Sequence, residues 1–263
     1  MSAGVQAARW PGTGFLASCF FAYVYLPIVV LVALSFNASE AATIWTGFTT
    51  DWYGVALANG DMVDAAKNSL IIAGSASVVA TVVATGAAVR MARDRFAGQG
   101  GIDALIALPL TVPEIVTAVA TLMFFALLGA RLGIGPVILA HTVFCIPFAY
   151  LPIRARVEGL DPTFAEAAAD LYATPWQAFT KVTLPLLWPG ILSGLVLAFI
   201  ISLDDFVITF FVGGAGSTTL PVYIYGLIRV GVTPEVNAIS ALMLMVSVAF
   251  VTMAFVLGQK SQT

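Results

Sequence analysis

The sequence predicts an all-α membrane protein with six transmembrane helices and a helical hairpin between the fourth and fifth. Three observations carry this. Of 263 residues, 60% are hydrophobic and only 10% charged, against about 25% charged in a soluble domain, and the mean hydropathy is +0.99. The apolar residues gather into runs long enough to cross a bilayer. Among these runs lies one long polar stretch, 166–185, EAAADLYATPWQAFTKVTLP.

The first run, 15–36, follows Arg9 and shows no small-residue cleavage site, so it reads as a retained transmembrane helix rather than a signal peptide. Pro27 is placed to kink it. Residues 37–66 are polar and acidic (Glu40, Asp51, Asp61, Asp64), with Trp45, Trp52 and Tyr53 suited to the membrane interface. The second span, 67–89, is rich in small residues. Ser77, Thr81 and Thr85 recur every four positions there, a spacing that favours close helix packing. The third span, 102–128, is broken around Pro109 and Pro113. A turn at 129–133 leads to the fourth span, 134–153, and the remaining spans are 186–212 and 236–257.

The basic residues test this topology. With both termini inside, Arg9, Arg90, Arg93, Arg95, Arg154, Arg156, Lys181 and Lys260 lie on the inner side, and Lys67, Arg131 and Arg229 on the outer. That distribution obeys the positive-inside rule and places 158–185 in the cytoplasm. No internal repeat of the kind that marks many secondary carriers is visible.

Two helix starts are written into the polar stretch and its approach. Asp161-Pro162 sets a capping carboxylate before a proline at the first helical position. Thr174-Pro175-Trp176-Gln177 is a capping box with proline at the same place. Two short helices joined by a bend near Thr174 and ended by Leu184-Pro185 follow. On the first, Phe164, Ala168 and Leu171 share an apolar stripe, while Glu166 and Asp170 stand one turn apart. Such a hairpin is shaped to dock against another protein.

The stretch resembles the EAA loop of binding-protein-dependent ABC importer permeases, whose pattern is E-A-A, a glycine four positions after the second alanine, then I-x-L-P. Glu166, Ala167, Ala168, Leu184 and Pro185 match as they stand, and Val182 replaces the isoleucine. Tyr172 occupies the glycine position, where the left-handed turn that glycine adopts freely costs a tyrosine more.

Three carboxylates fall within or at the edge of spans: Glu114 in VPEIV, and Asp204 and Asp205 in SLDDFVITFF. A charge at the bilayer centre costs at least about 2.5 kcal/mol, so such groups face a cavity or a partner. Adjacent helical residues point about 100° apart, so only one of the two aspartates is expected to face a pathway squarely. Carboxylates lining a pathway favour a cation. Their other reading is capping of a helix break. Tyr223 and Tyr225 stand in an apolar segment, 220–230, that suits either an interfacial anchor or a half-inserted helix at the outer mouth.

These segments, with NSLIIA at 68–73 and TLPVYIYGLIRVGVTPEVNAIS near the C-terminus, are similar to spermidine/putrescine permeases of the PotC type. The likeness runs from about residue 15 to 256. It implies a type I ABC importer permease fold in a bacterial inner membrane, with Glu114, Asp204, Asp205 and Tyr223 along a cation pathway. It also implies coupling through Phe164, Glu166, Ala167, Ala168, Leu171, Tyr172, Leu184 and Pro185. The implied partners are a cytoplasmic ABC ATPase dimer, a second permease of the PotB type and a periplasmic substrate-binding protein. Relatives of this type also move other organic cations, opines or amino-acid-like solutes.

Several classes are set aside. No G-x-x-x-x-G-K-[ST] occurs, so any ATP and Mg²⁺ belong on a partner and this chain is not expected to be an enzyme. Cys19 and Cys145 sit in apolar runs and read as buried hydrophobes, and no metal ligand set is expected. His141 stands alone and reads as a packing or hydrogen-bonding residue. A net charge of −3 without a basic tract argues against nucleic acid. An ion-coupled secondary carrier using the carboxylates as proton relays is the alternative, but it gives the hairpin no role.

Overall fold

The computed structural model of the chain describes residues 12–40, 44–93, 96–161, 163–231 and 233–260. Arg9, Arg95 and Pro162, and the side chains of Arg93 and Lys260, lie outside the described residues. In chain order the helices are α1 (Thr13–Leu34), α2 (Asp51–Ala58), α3 (Gly60–Arg93), α4 (Gln99–Thr111), α5 (Glu114–Leu127), α6 (Ile134–Glu158), α7 (Thr163–Asp170), α8 (Pro175–Ala178), α9 (Leu184–Asp204), α10 (Val207–Val212), α11 (Leu220–Val230) and α12 (Pro234–Lys260). A π-helical turn, Phe179–Thr183, joins α8 to α9. Among the described residues five helices are long and apolar enough to cross a membrane, or six when the bent pair α4–α5 is one span.

The chain divides into two compact units, Met1–Ala58 with Leu227–Leu244, and Asn59–Gly226 with Met245–Thr263. In the first, α1 is exposed along nearly all of its length, as a helix facing lipid or another subunit must be. Its end is tied by Asn37, whose side chain donates to Ile44 O (2.7 Å) and accepts from Thr46 N (3.0 Å). Trp52 and Tyr53, read from sequence as interfacial, close this turn instead. Trp52 Nε1 donates to Asn37 O (2.8 Å) and the Tyr53 hydroxyl meets Ser35 Oγ at 2.6 Å.

In the second unit α3, α6 and α9 pack on one another. The α3 contact face is alanine: Ala76, Ala80, Ala84 and Ala88 recur every four residues and are buried, which lets backbones approach closely. Ser77 and Thr81 of the expected serine–threonine stripe are buried beside them. Opposite, a Cβ on Gly194 of α9 would stand 2.6 Å from Ala149 O of α6, so only glycine permits that contact.

Three element boundaries differ from expectation. The second span begins at Gly60, not 67, because its polar first turns are amphipathic: Met62 and Ala65 are buried while Asp61 and Asp64 are exposed. The fourth runs on to Glu158, where Arg154 Nε meets Glu158 Oε1 at 2.7 Å one turn away. Leu184-Pro185 does not end the hairpin's second helix. Proline lacks the N–H that a continuing α-helix needs, and the chain widens into the π turn, where Leu184 N bonds Phe179 O. Residues Pro175–Asp204 thus form one continuous helical run.

Candidate functional site

Two broken spans meet at one cavity. Between α4 and α5 the chain bends by 111° at Val112-Pro113, where proline cannot continue the helix, and Glu114 becomes the first residue of α5. The fifth span breaks after Asp204. Asp205 is extended (φ −64°, ψ 126°) and α10 restarts at Val207. A helix interrupted within a span leaves its last carbonyls without intrahelical partners, and the negative end of its dipole favours a cation. The cavity at these breaks holds about 400 Å³ and is lined by Glu114, Asp204 and Asp205 with Phe144, Phe148 and Phe206. None of its lining residues is basic. Acid groups set beside aromatic faces suit an organic ammonium.

The two aspartates line the same cavity but have different surroundings, set by the helix break rather than by a 100° turn. Asp204 is exposed at the cavity. Asp205 is turned into the bundle, where Oδ1 accepts from Ile208 N (3.3 Å) and Oδ2 from Thr209 N (3.1 Å) and Thr209 Oγ1 (3.3 Å). His141 Nε2 lies 3.1 Å from the same Oδ2, with both side chains 1% exposed. The imidazole also meets Ser202 Oγ at 2.7 Å through Nδ1 and Thr209 Oγ1 at 2.9 Å through Nε2. Asp205 therefore also fits the capping role open to it in the sequence. From α5, Glu114 lines the same cavity as both aspartates, a grouping of acids that a cation would stabilise.

Tyr223 does not reach this cavity. It lines a second one of about 580 Å³ with Asp61, Asp64, Lys67 and Asn68, and its hydroxyl accepts from Asn59 Nδ2 at 3.2 Å. On α11, Tyr225 packs on Phe206 with ring centroids 4.7 Å apart. The NSLIIA segment positions this region. Asn68 Nδ2 donates to Gly216 O and Thr218 O (both 3.0 Å), and Ser69 Oγ accepts from Leu220 N at 2.8 Å.

The hairpin forms as its caps dictate. Asp161 Oδ1 accepts from Thr163 N at 2.9 Å, a bond that holds its carboxyl below the usual carboxylate range. Thr174 and Gln177 complete the capping box, with Gln177 N on Thr174 Oγ1 (3.3 Å) and Thr174 N on Gln177 Oε1 (2.9 Å). Between them Tyr172 takes the left-handed conformation, φ 57°. Ala173 N bonds Ala168 O (3.0 Å) and Tyr172 N bonds Ala169 O (2.9 Å), which is a Schellman ending to α7.

Ala168 is buried, but Phe164 (51%), Leu171 (82%) and Trp176 (71%) are exposed, and Glu166 and Ala167 lie open beside them. At the base, Arg156 Nε donates to Leu186 O at 2.9 Å, clasping the end of α6 to the start of α9. Arg154 joins Asp103 of α4 at 2.9 Å.

Residues 80–259 match the family described as binding-protein-dependent transport system inner membrane component. The chain is 37% identical over 238 residues to the spermidine/putrescine transport system permease protein PotC of Escherichia coli K12, covering 90% of each chain. It is 41% identical over 231 residues to the putrescine transport system permease protein PotI of the same strain, covering 85% of this chain and 82% of that one. Among solved structures, a bacterial ABC transporter that imports the acidic polysaccharide alginate superposes with a TM-score of 0.69 at 18% identity over 95% of each chain. The methionine ABC transporter MetNI superposes with a TM-score of 0.65 at 18% identity over 76% of this chain and 95% of that one; both show the type I importer permease fold. The chain belongs to the binding-protein-dependent transport family as a multi-pass inner-membrane component, the permease rather than the ATPase of an ABC importer.

Proposed function

We propose that this permease translocates a small organic cation, a polyamine such as spermidine or putrescine, delivered by a periplasmic binding protein and driven by ATP hydrolysed on a partner. The observation that carries the cation is the gathering of Glu114, Asp204 and Asp205 at two helix breaks, beside aromatic rings and without a basic lining residue. The names of the relatives support the polyamine. Asp204 and Glu114 attract the ammonium groups, and Phe144, Phe148 and Phe206 take the methylenes and the π-face contacts. Tyr223, on the second cavity, contributes to an earlier stage of the path.

The hairpin from Asp161 to Pro185 is the lever. Phe164 and Leu171 pack into a groove of a cytoplasmic ABC ATPase dimer, with Glu166 as the polar contact and Ala167 giving close approach. ATP and Mg²⁺ reside on that ATPase. A second permease of the PotB type completes the pathway. A solute that binds both access states equally shifts nothing, so nucleotide must bias the switch through the hairpin.

The test is ATPase activity of the reconstituted complex with its binding protein. Putrescine- or spermidine-stimulated hydrolysis that collapses in Glu166→Ala supports lever and substrate class together. Stimulation only by another solute removes the polyamine, and stimulation that survives the substitution removes Glu166 from coupling.

A further inference from the structure

We infer that His141 is a positioning residue for the cation cavity: bonded across the α9–α10 break, it holds Asp205 in the core and leaves Asp204 and Glu114 as the carboxylates offered to the cargo. The inference rests on the cation reading above. A carboxylate taken out of water is tolerated only when paired and fully hydrogen-bonded. Asp205 meets that condition with two backbone N–H groups, the Thr209 hydroxyl and the His141 imidazole. Oδ2 thereby has three donors and Oδ1 the Ile208 N–H, so Asp205 is less available to an ammonium than Asp204.

The imidazole does this from a third element. Ser202 lies on α9 before the break, Thr209 on α10 after it, and His141 on α6 contacts both, at 2.7 and 2.9 Å. The Nδ1 bond to Ser202 fixes the ring so that Nε2 faces Asp205. One side chain therefore sets the spacing between the two half-helices, and with it the direction in which Asp204 leaves the chain. Asp204, next in sequence to a carboxylate anchored in the core, is the one left exposed at the cavity. Glu114, on α5, against which α10 packs, lines the same cavity and supplies the second carboxyl group.

The test is uptake of radiolabelled putrescine by proteoliposomes holding the assembled importer, with a Tm for each purified complex. His141→Gln is expected to raise the KM for putrescine about tenfold. His141→Gln/Asp205→Asn is expected to recover part of both KM and Tm, because an amide at 205 still takes the α10 N–H groups without needing a counter-charge. Ser202→Ala, which loses only the Nδ1 bond, is expected to raise KM about threefold and serves if His141→Gln fails to assemble. A KM unchanged in every assembled variant, a loss confined to kcat, or a double variant no more stable than His141→Gln would overturn the positioning role. A wild-type complex that takes up no putrescine sinks the polyamine reading instead, and the Tm comparison still decides whether His141 and Asp205 act as a pair.

Discussion

Tyr172 sits at φ 57° because the Schellman ending of α7 demands a left-handed residue there, and a side chain at that angle costs roughly 1–2 kcal/mol relative to glycine. Its ring is almost wholly exposed, so no packing within the chain offsets the cost. Tyr172→Gly is expected to stabilise the turn by about 1 kcal/mol, read as slower amide exchange at Tyr172 and Ala173. Unchanged exchange would mean that the strain is relieved elsewhere. The departure from the family's glycine was visible in the sequence, and so was the turn, because capping and turn chemistry are local. That His141 packs and hydrogen-bonds was expected, but with which residues was not. Its partners Ser202 and Asp205 lie some sixty residues away, and a lone imidazole carries no pattern that names them.

At the scale of elements, proline decides one break and one continuity. Pro113 marks the bend between α4 and α5, as expected, while Pro109, read as part of the same break, stays inside α4. Pro185 was read the same way and acts differently: the chain accommodates the missing N–H in a π turn and continues to Asp204. The break after Asp204 has no proline or glycine within the broken segment and is made by tertiary contacts to α6. For the hairpin's second helix, Thr174→Ala removes the capping box and is expected to cost about 1 kcal/mol. The effect should appear as faster amide exchange over residues 176–183, with exchange in α7 unchanged. Equal acceleration in both helices would show that they open as one unit.

For the whole molecule, the cavity joins groups from α5, α6, α9 and α10 that share no local signal. The sequence named the three carboxylates, since a charge in an apolar run stands out. It did not separate their roles, nor pair them with Phe144, Phe148 and Phe206. Glu114→Gln and Asp204→Asn are each expected to reduce putrescine uptake about tenfold at subsaturating substrate. Because they serve one ligand, the double substitution should fall short of the product of the two. Independent, fully multiplicative losses would place them at separate points along the path.

The continuous helical run from Pro175 to Asp204, with α6 clasped to it through Arg156 and Leu186, has a thermodynamic consequence. At about 1.5 Å per residue the thirty residues make a strut of roughly 45 Å, whose ends are the hairpin and a cavity carboxylate. Equilibria sharing such a strut are reciprocal. Whatever factor occupancy of the hairpin imposes on cation affinity, cation occupancy imposes the same factor on the affinity of the hairpin's partner. Under the proposed coupling, cargo in the cavity is a signal read at the far end of the chain, and an empty permease reports its emptiness by the same route.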